Sequence, residues 1–420
     1  MNNVTKPAKK KVHYAWVIVV GCAMIMFGTA GPIANAIGTF MTPVSEEMGF
    51  SMASLSLYFT VMTITMAVVQ PFTHKIYDKF DIRVIGAVVT ILPAIGMALM
   101  SVYTFVAGWY ISAVMIGVSF SFVTYTLIPT MMNRWFSKKV GTVIGLALCI
   151  NGVGGAVFSA LAGQFITNLG WRTGYWLVPL IGLCVSLPAA IFLLRSRPED
   201  KGLKPYGYEE GKDSKEKAST AIEVKGFTAK EAYKSPLFYM VVALTVFIFF
   251  NGNLQPQITN FAYSVGMTVA QGAIVGSLLM IGNVIGRLVP GILNDRFGVF
   301  PAFLFGALGG IVGIVLFLNS AAAAWIPYVG GFFFGFCMSM MAIMPPLLTR
   351  AAVGPKDFAK IFGLVAALGT LTSAVAAPTY GAIYDNTGSY FPALTIGLVF
   401  LIIGIVIAGI LANRAKKKWL

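Results

Sequence analysis

Charge is what this 420-residue chain has least of: 11% of its residues are charged, and its acids number 15. So thin a polar complement cannot cover a soluble domain of this length. Histidine occurs twice, at His13 and His74, and cysteine four times, at Cys22, Cys149, Cys184 and Cys337. No His/Cys cluster has ligand spacing, so no metal site is expected. The cysteines all fall inside apolar runs and read as free, buried thiols. Those runs hold no nucleophile–base pair, so neither an enzyme nor a cofactor is expected. All 15 acids lie outside the cores of the runs; Asp385 comes nearest to one. This leaves no carboxylate cage for sodium and no obvious buried proton carrier.

What the chain has in excess is apolar residues, 57% of the total, with 45 glycines. Apolar runs of membrane-spanning length stand near 14–40, 52–73, 84–104, 108–132, 141–165, 173–194, 236–260, 268–290, 300–319, 324–348, 361–384 and 390–412. The expected fold is an all-α membrane protein of twelve transmembrane helices. The net charge of +15 does not point to nucleic acid, because the basic residues flank the spans. With both termini cytoplasmic, 28 of the 30 Lys and Arg fall on the inner side, and Arg172 alone falls outside. The topology expected is therefore a multi-pass protein of the plasma membrane, in bacteria the inner membrane, with both ends inside.

One long polar stretch, 195–235, divides the chain into an N-terminal six-helix bundle, 1–194, and a C-terminal one, 236–420. The halves repeat. Gly49, Ser51, Ala53 and Asp78 return 217 positions later as Gly266, Thr268, Ala270 and Asp295. Gly117, Gly145, Gly163, Asn168 and Gly170 return 218 positions later as Gly335, Gly363, Gly381, Asn386 and Gly388. A duplicated six-helix unit places two pseudo-symmetric bundles around an axis along the membrane normal, with a site between them near the midplane.

One cation breaks this pattern. Arg287 sits inside an apolar run, shortly before Gly291, where the following loop is expected to begin. A guanidinium on a membrane helix costs about 2.5–3.5 kcal/mol at the helix centre and normally faces a water-filled cavity or a partner. Its repeat counterpart is Gln70, so the charge serves something other than the repeated scaffold. The planar fork suits one carboxylate. Candidate companions are Asn283, one turn earlier, Tyr125, Tyr380, Asn35, Asn151 and Gln255, the last beside Pro256, where a bend is expected. The run Phe332-Phe333-Phe334 with Phe336 reads as packing, with one ring available to wall an apolar ligand end.

Gly291-Ile292-Leu293-Asn294-Asp295-Arg296-Phe297-Gly298 resembles the loop signature of the major facilitator superfamily, and Asp78-Lys79 repeats its acid and base, with His74 where the family has glycine. The resemblance implies that Asp78, Lys79, Asp295 and Arg296 take part in gating, the acid capping a neighbouring helix or pairing with a cation. Arg134-Trp135-Phe136-Ser137-Lys138-Lys139-Val140-Gly141, followed by Gly145-Leu146-Ala147, is similar to the start of the fifth span in monocarboxylate transporters and oxalate:formate antiporters. His13-Tyr14-Ala15-Trp16 is similar to the start of their first span. Arg287, eight residues before Asp295, matches their substrate-binding arginine. Two positions depart. Asn283 stands where proton-coupled animal members carry Asp, and 361–384 lacks the lysine of the antiporter. The resemblance implies a monomeric, lipid-embedded transporter of a small organic anion. The expected substrate is a monocarboxylate such as lactate or pyruvate, moved with a proton by alternating access. Carboxylate exchange is the alternative, and a non-transporting solute sensor a remote one.

Overall fold

The computed structural model describes residues 13–33, 37–208, 226–267 and 269–419. Its described residues form twelve helical rods and no extended sheet; one isolated bridge joins Phe136 to Tyr206. Rod α1 comprises Tyr14–Ile25, the π-turn Met26–Ala30 and, further on, Ile37–Met48. Next come α2 (Met52–Val69, Gln70–Phe72, Thr73–Lys79), α3 (Ile82–Leu99), α4 (Val106–Phe122, Val123–Leu127, Ile128–Trp135), α5 (Val140–Leu169) and α6 (Trp171–Pro188, Ala189–Leu193). The second six are α7 (Pro236–Gly252, Gln255–Ser264), α8 (Val269–Phe297), α9 (Val299–Leu318), α10 (Ile326–Val353), α11 (Phe358–Thr387) and α12 (Phe391–Trp419). Helices suit these apolar sequences because each satisfies its own backbone polar groups, which lipid cannot do.

Three expectations meet the structure here, two of them as corrections. No loop begins at Gly291. The helix continues to Phe297, and Gly298 stops it in a backbone conformation, φ +90°, that L side chains rarely adopt. Arg287 is therefore about three turns from the helix end rather than one. Second, the bend expected beside Pro256 is present: α7 breaks at Asn253 and Leu254, because proline is accommodated in the first turn of the restarted helix. Third, Cys184 is exposed on α6, while Cys22, Cys149 and Cys337 are buried and free.

Glycines set the helix spacing, and the repeat is visible in them. A Cβ on Gly117 of α4 would lie 2.7 Å from the Met62 carbonyl of α2; one on Gly335 of α10 would strike the Leu279 carbonyl of α8. A Cβ on Gly363 of α11 would lie 2.8 Å from the Gln70 carbonyl; one on Gly145 of α5 would strike the Arg287 carbonyl. The first pair of contacts holds each bundle together. The second joins the bundles, α11 to α2 and α5 to α8. All four depend on small residues that let backbones approach, the usual basis of helix association in lipid.

The named inter-bundle contacts gather in the half of the molecule that carries both described chain ends and most charged loops. A Cβ on Gly141 would lie 2.7 Å from the Gly291 carbonyl, and the Thr370 hydroxyl donates to Gln70 Oε1 at 3.0 Å. At this charged end the polar stretch docks on each bundle in turn. Tyr206 donates its amide to Trp135 O (2.8 Å), and its ring packs on Phe136 and Trp16. Phe227 donates to Val353 O (2.9 Å), and Asp357 caps the short helix Ala229–Lys234 by accepting from the Ala229 amide at 2.7 Å. The acidic and basic run from Glu209 to Lys217 lies outside the described residues.

Candidate functional site

Arg287 leaves α8 toward α5 of the other bundle. Its Nη1 donates to the Leu148 carbonyl at 2.7 Å. The side chain thus reaches across the bundle interface and does not extend along its own helix toward the headgroups. Beside it lies a cavity of about 320 Å³ between the bundles, walled by α1, α2, α4 and α5 on one side and by α7, α8, α10 and α11 on the other. Arg287 is the charged member of the described lining.

Of the residues singled out from the sequence, Asn151 shares this cavity with Arg287. Its Oδ1 is buried without a hydrogen-bond partner among the described residues. An amide left so is costly unless a ligand or water completes it. Asn283 is not in the lining. It is 4% exposed, and its backbone lies against Gly335 in the α8–α10 seam. Tyr380 is fully buried, and its hydroxyl donates to the Phe250 carbonyl of α7. Gln255 is half-buried at the restart of α7, outside the described lining. Tyr125 lies in the π-turn of α4; its side chain and the whole of Asn35 lie outside the described residues. The phenylalanine run packs within the C-terminal bundle, with Phe334 at 0% and Phe336 at 8% exposure.

The lining also holds groups beyond these candidates. Asn253 Nδ2 donates to Ser373 Oγ at 2.7 Å, tying α7 to α11 at the wall. Thr370 lines the cavity while bonding Gln70. That pair was findable, since Gln70 is the repeat counterpart of Arg287 and Gly363 that of Gly145. Five methionines also face the space: Met26, Met62, Met66, Met338 and Met341. In sequence each looks like ordinary core.

At the charged end the two halves of the repeated motif behave differently. Asp295 accepts from the Gly141 amide at 2.8 Å, the Thr142 amide at 2.7 Å and the Thr142 hydroxyl at 2.6 Å. It caps α5 from the opposite bundle. The preceding residue, Lys139, supplies no capping side chain and sits at φ +63°. A carboxylate there satisfies orphan amides and meets the positive end of the helix dipole. Asp78 instead pairs with Arg134 of its own bundle at 3.4 Å, with 64% of its side chain exposed. By the repeat its target would be the start of α11, at Ala359 and Lys360. There, a cavity of about 490 Å³ lies between the bundles, lined by His74 and Asp78 on one side and Lys356 and Lys360 on the other. It lies beside the latch and carries charges of both signs. Lys79 lies over the Phe80 ring at 5.6 Å, and Arg296 is exposed in the last turn of α8.

Comparison with known proteins fits this architecture. A family model described as the Major Facilitator Superfamily matches residues 120–259 and 240–420. Human monocarboxylate transporter 12 is 22% identical, aligned over 96% of this chain and 82% of its own. The MFS-type transporter dbaD of Emericella nidulans is 27% identical over 89% of this chain and 80% of its own. Among solved structures, the proton:xylose symporter XylE superposes with a TM-score of 0.68 at 12% identity, covering 94% of both chains. The E. coli fucose:proton symporter FucP gives 0.65 at 15%, covering 95% of this chain and 99% of its own. With two bundles of six spans, a cavity between them and a family model matched over most of its length, this chain belongs to the major facilitator superfamily and is a multi-pass membrane transporter.

Proposed function

We propose that this transporter moves a small organic monocarboxylate, together with a proton, by alternating access. The observation that carries the reading is a single guanidinium, Arg287, on the wall of a cavity between two bundles. A guanidinium fork binds a carboxylate through two parallel hydrogen bonds, and one fork matches one carboxylate. The resemblance to monocarboxylate transporter 12 supports the same substrate class. Asn151 supplies a second polar contact beside the fork. Asn253 and Ser373 supply a polar wall opposite α5.

The mechanism follows from how the cation is held. Arg287 is tied to the α5 backbone through Leu148. An arriving carboxylate competes for that donor and neutralises the charge, so the bundles close around a load of lower charge. A guanidinium in apolar surroundings is costly to enclose, and a bound carboxylate offsets its charge, which couples movement to occupancy. Meanwhile the Asp295 cap on α5 holds the charged end shut, and its release opens that end. We take the charged end as cytoplasmic, the membrane as the plasma membrane, and 1–194 and 236–420 as the moving units, with 195–235 joining them. The gating set is Asp295 with Arg296 and, in the opposite half of the cycle, Asp78 with Lys79.

Carboxylate exchange is the second reading, favoured by one observation: no acid stands among the described cavity-lining residues to carry a proton. A proton would then have to travel with the substrate at Arg287. Uptake of labelled monocarboxylate into proteoliposomes separates the two. Symport requires uptake that rises with an imposed proton gradient and proceeds into empty vesicles. Exchange requires preloaded anion and ignores the gradient. Absence of uptake under both conditions, with dicarboxylates also inert, would overturn the monocarboxylate reading.

A further inference from the structure

The cavity beside Arg287 is larger and more apolar than a short acid needs. Methionines are 20 of 420 residues in the chain but five of the sixteen that line this space. They come from both bundles: Met26 from α1, Met62 and Met66 from α2, Met338 and Met341 from α10. Phe59 and Phe120 add two rings. Met62, Met338 and Met341 are only half-buried, so part of each side chain is open at the wall they form. Unbranched, polarizable side chains of this kind adapt to irregular apolar shapes and make favourable contacts with aromatic edges.

The volume points the same way. The cavity measures about 320 Å³. It falls at the low end of the range, roughly 300–1,000 Å³, that encloses drug-sized ligands. Acetate or lactate at Arg287 would leave most of the thioether wall against water. Of the six polar lining residues, Thr63, Asn253, Ser373 and Thr370 are already bonded to protein, which leaves Arg287 and Asn151 as the groups best placed to meet a carboxylate.

We infer that the transported anion is an amphipathic monocarboxylate with a bulky apolar tail, alkyl or aryl, whose carboxylate meets Arg287 and whose tail packs on the methionines of both bundles. This rests on the proposed monocarboxylate reading and narrows its substrate class. A tail that touches α1, α2 and α10 together also gives the two bundles a shared surface when they close, so the tail contributes to closure as well as to binding.

The test is calorimetric binding to the full chain in nanodiscs of a straight-chain series from acetate to octanoate, with phenyl-substituted acids and the matching primary alcohols alongside. Affinity is expected to rise about fourfold per methylene until the cavity is full, the factor that corresponds to about 0.8 kcal/mol per buried methylene, and then to fall. Met338→Gln is expected to flatten that slope and Met338→Leu to restore it. The alcohols are expected to bind at least tenfold more weakly than the acids. A flat series, with acetate as tight as hexanoate, would overturn the tail while leaving the monocarboxylate reading intact. Binding of no acid at all would overturn that reading itself. A slope that persists equally in Met338→Gln and in the alcohols would mean partition into lipid and would overturn the assignment to this wall.

Discussion

Removing the Asp295 carboxylate should open the charged end of the transporter. Asp295→Ala deletes three hydrogen bonds, of 2.8, 2.7 and 2.6 Å, to the first turn of α5, where no other side chain caps the helix. Loss of an N-cap costs about 0.5–2 kcal/mol, and the charge at a helix N-terminus contributes about 0.3–1 kcal/mol more. Asp295 is half-buried, so solvent screens part of this; about 2 kcal/mol is a fair total, or roughly 30-fold in the closed-to-open ratio. Asp78→Ala serves as the contrast. It breaks one surface pair of 3.4 Å within a single bundle, worth about 0–1 kcal/mol, and should barely move the equilibrium in this state. Spin labels at Ser137 and Phe297, both exposed and on opposite bundles, would report the separation by double electron–electron resonance, with Cys184 replaced to remove background. A longer-distance population gained in Asp295→Ala and not in Asp78→Ala is the expected outcome. Equal shifts in both variants, or none in either, would refute the one-sided latch.

Further predictions follow from the close contacts. Gly145→Ala drives a Cβ into the Arg287 carbonyl and should open the same end by about 1–3 kcal/mol without lowering the melting temperature of the bundles, read by the same spin-label distances. Gly282→Ala strikes the Phe332 carbonyl inside one bundle and should instead lower the melting temperature in detergent, by the same order of energy. Thr370→Val removes the 3.0 Å bond to Gln70 between α11 and α2; such bonds average about 0.6 kcal/mol in membranes, so uptake should change less than threefold. Asn151→Leu leaves no amide beside Arg287 and should weaken carboxylate binding about tenfold in calorimetry while sparing the fold.

Much of the architecture was legible because membrane chemistry is restrictive. Apolar runs of spanning length can only be helices, and the offset of 217–218 reappears in space as Gly145 on Arg287 and Gly363 on Gln70. The anomaly of a cation in an apolar run led to Arg287 and its cavity. The site's companions were less legible. Residues four apart on a helix share a face only approximately, about 40° of rotation separating them, and that is enough to turn Asn283 into the α8–α10 seam while Arg287 reaches α5. Tyr380 had a hydroxyl to offer, but a backbone carbonyl freed near the α7 break took it. The methionine wall was invisible because thioethers that line a cavity and thioethers that fill a core read alike in sequence. The one-sided latch was hidden too: Asp78 and Asp295 sit in equivalent motifs, and only the packing of α5 against α8 separates their roles.

The most direct test of the account is equilibrium binding of a monocarboxylate panel to wild type, Arg287→Lys and Arg287→Gln in the same membrane mimetic, with melting temperature as the check on folding. If Arg287 holds the substrate carboxylate, wild type binds and is stabilised by mass action, Lys binds at least tenfold more weakly for want of the fork, and Gln does not bind although it remains folded. Binding of equal strength in all three would contradict the account: Arg287 would then only tie α8 to Leu148, and the anion site would lie elsewhere.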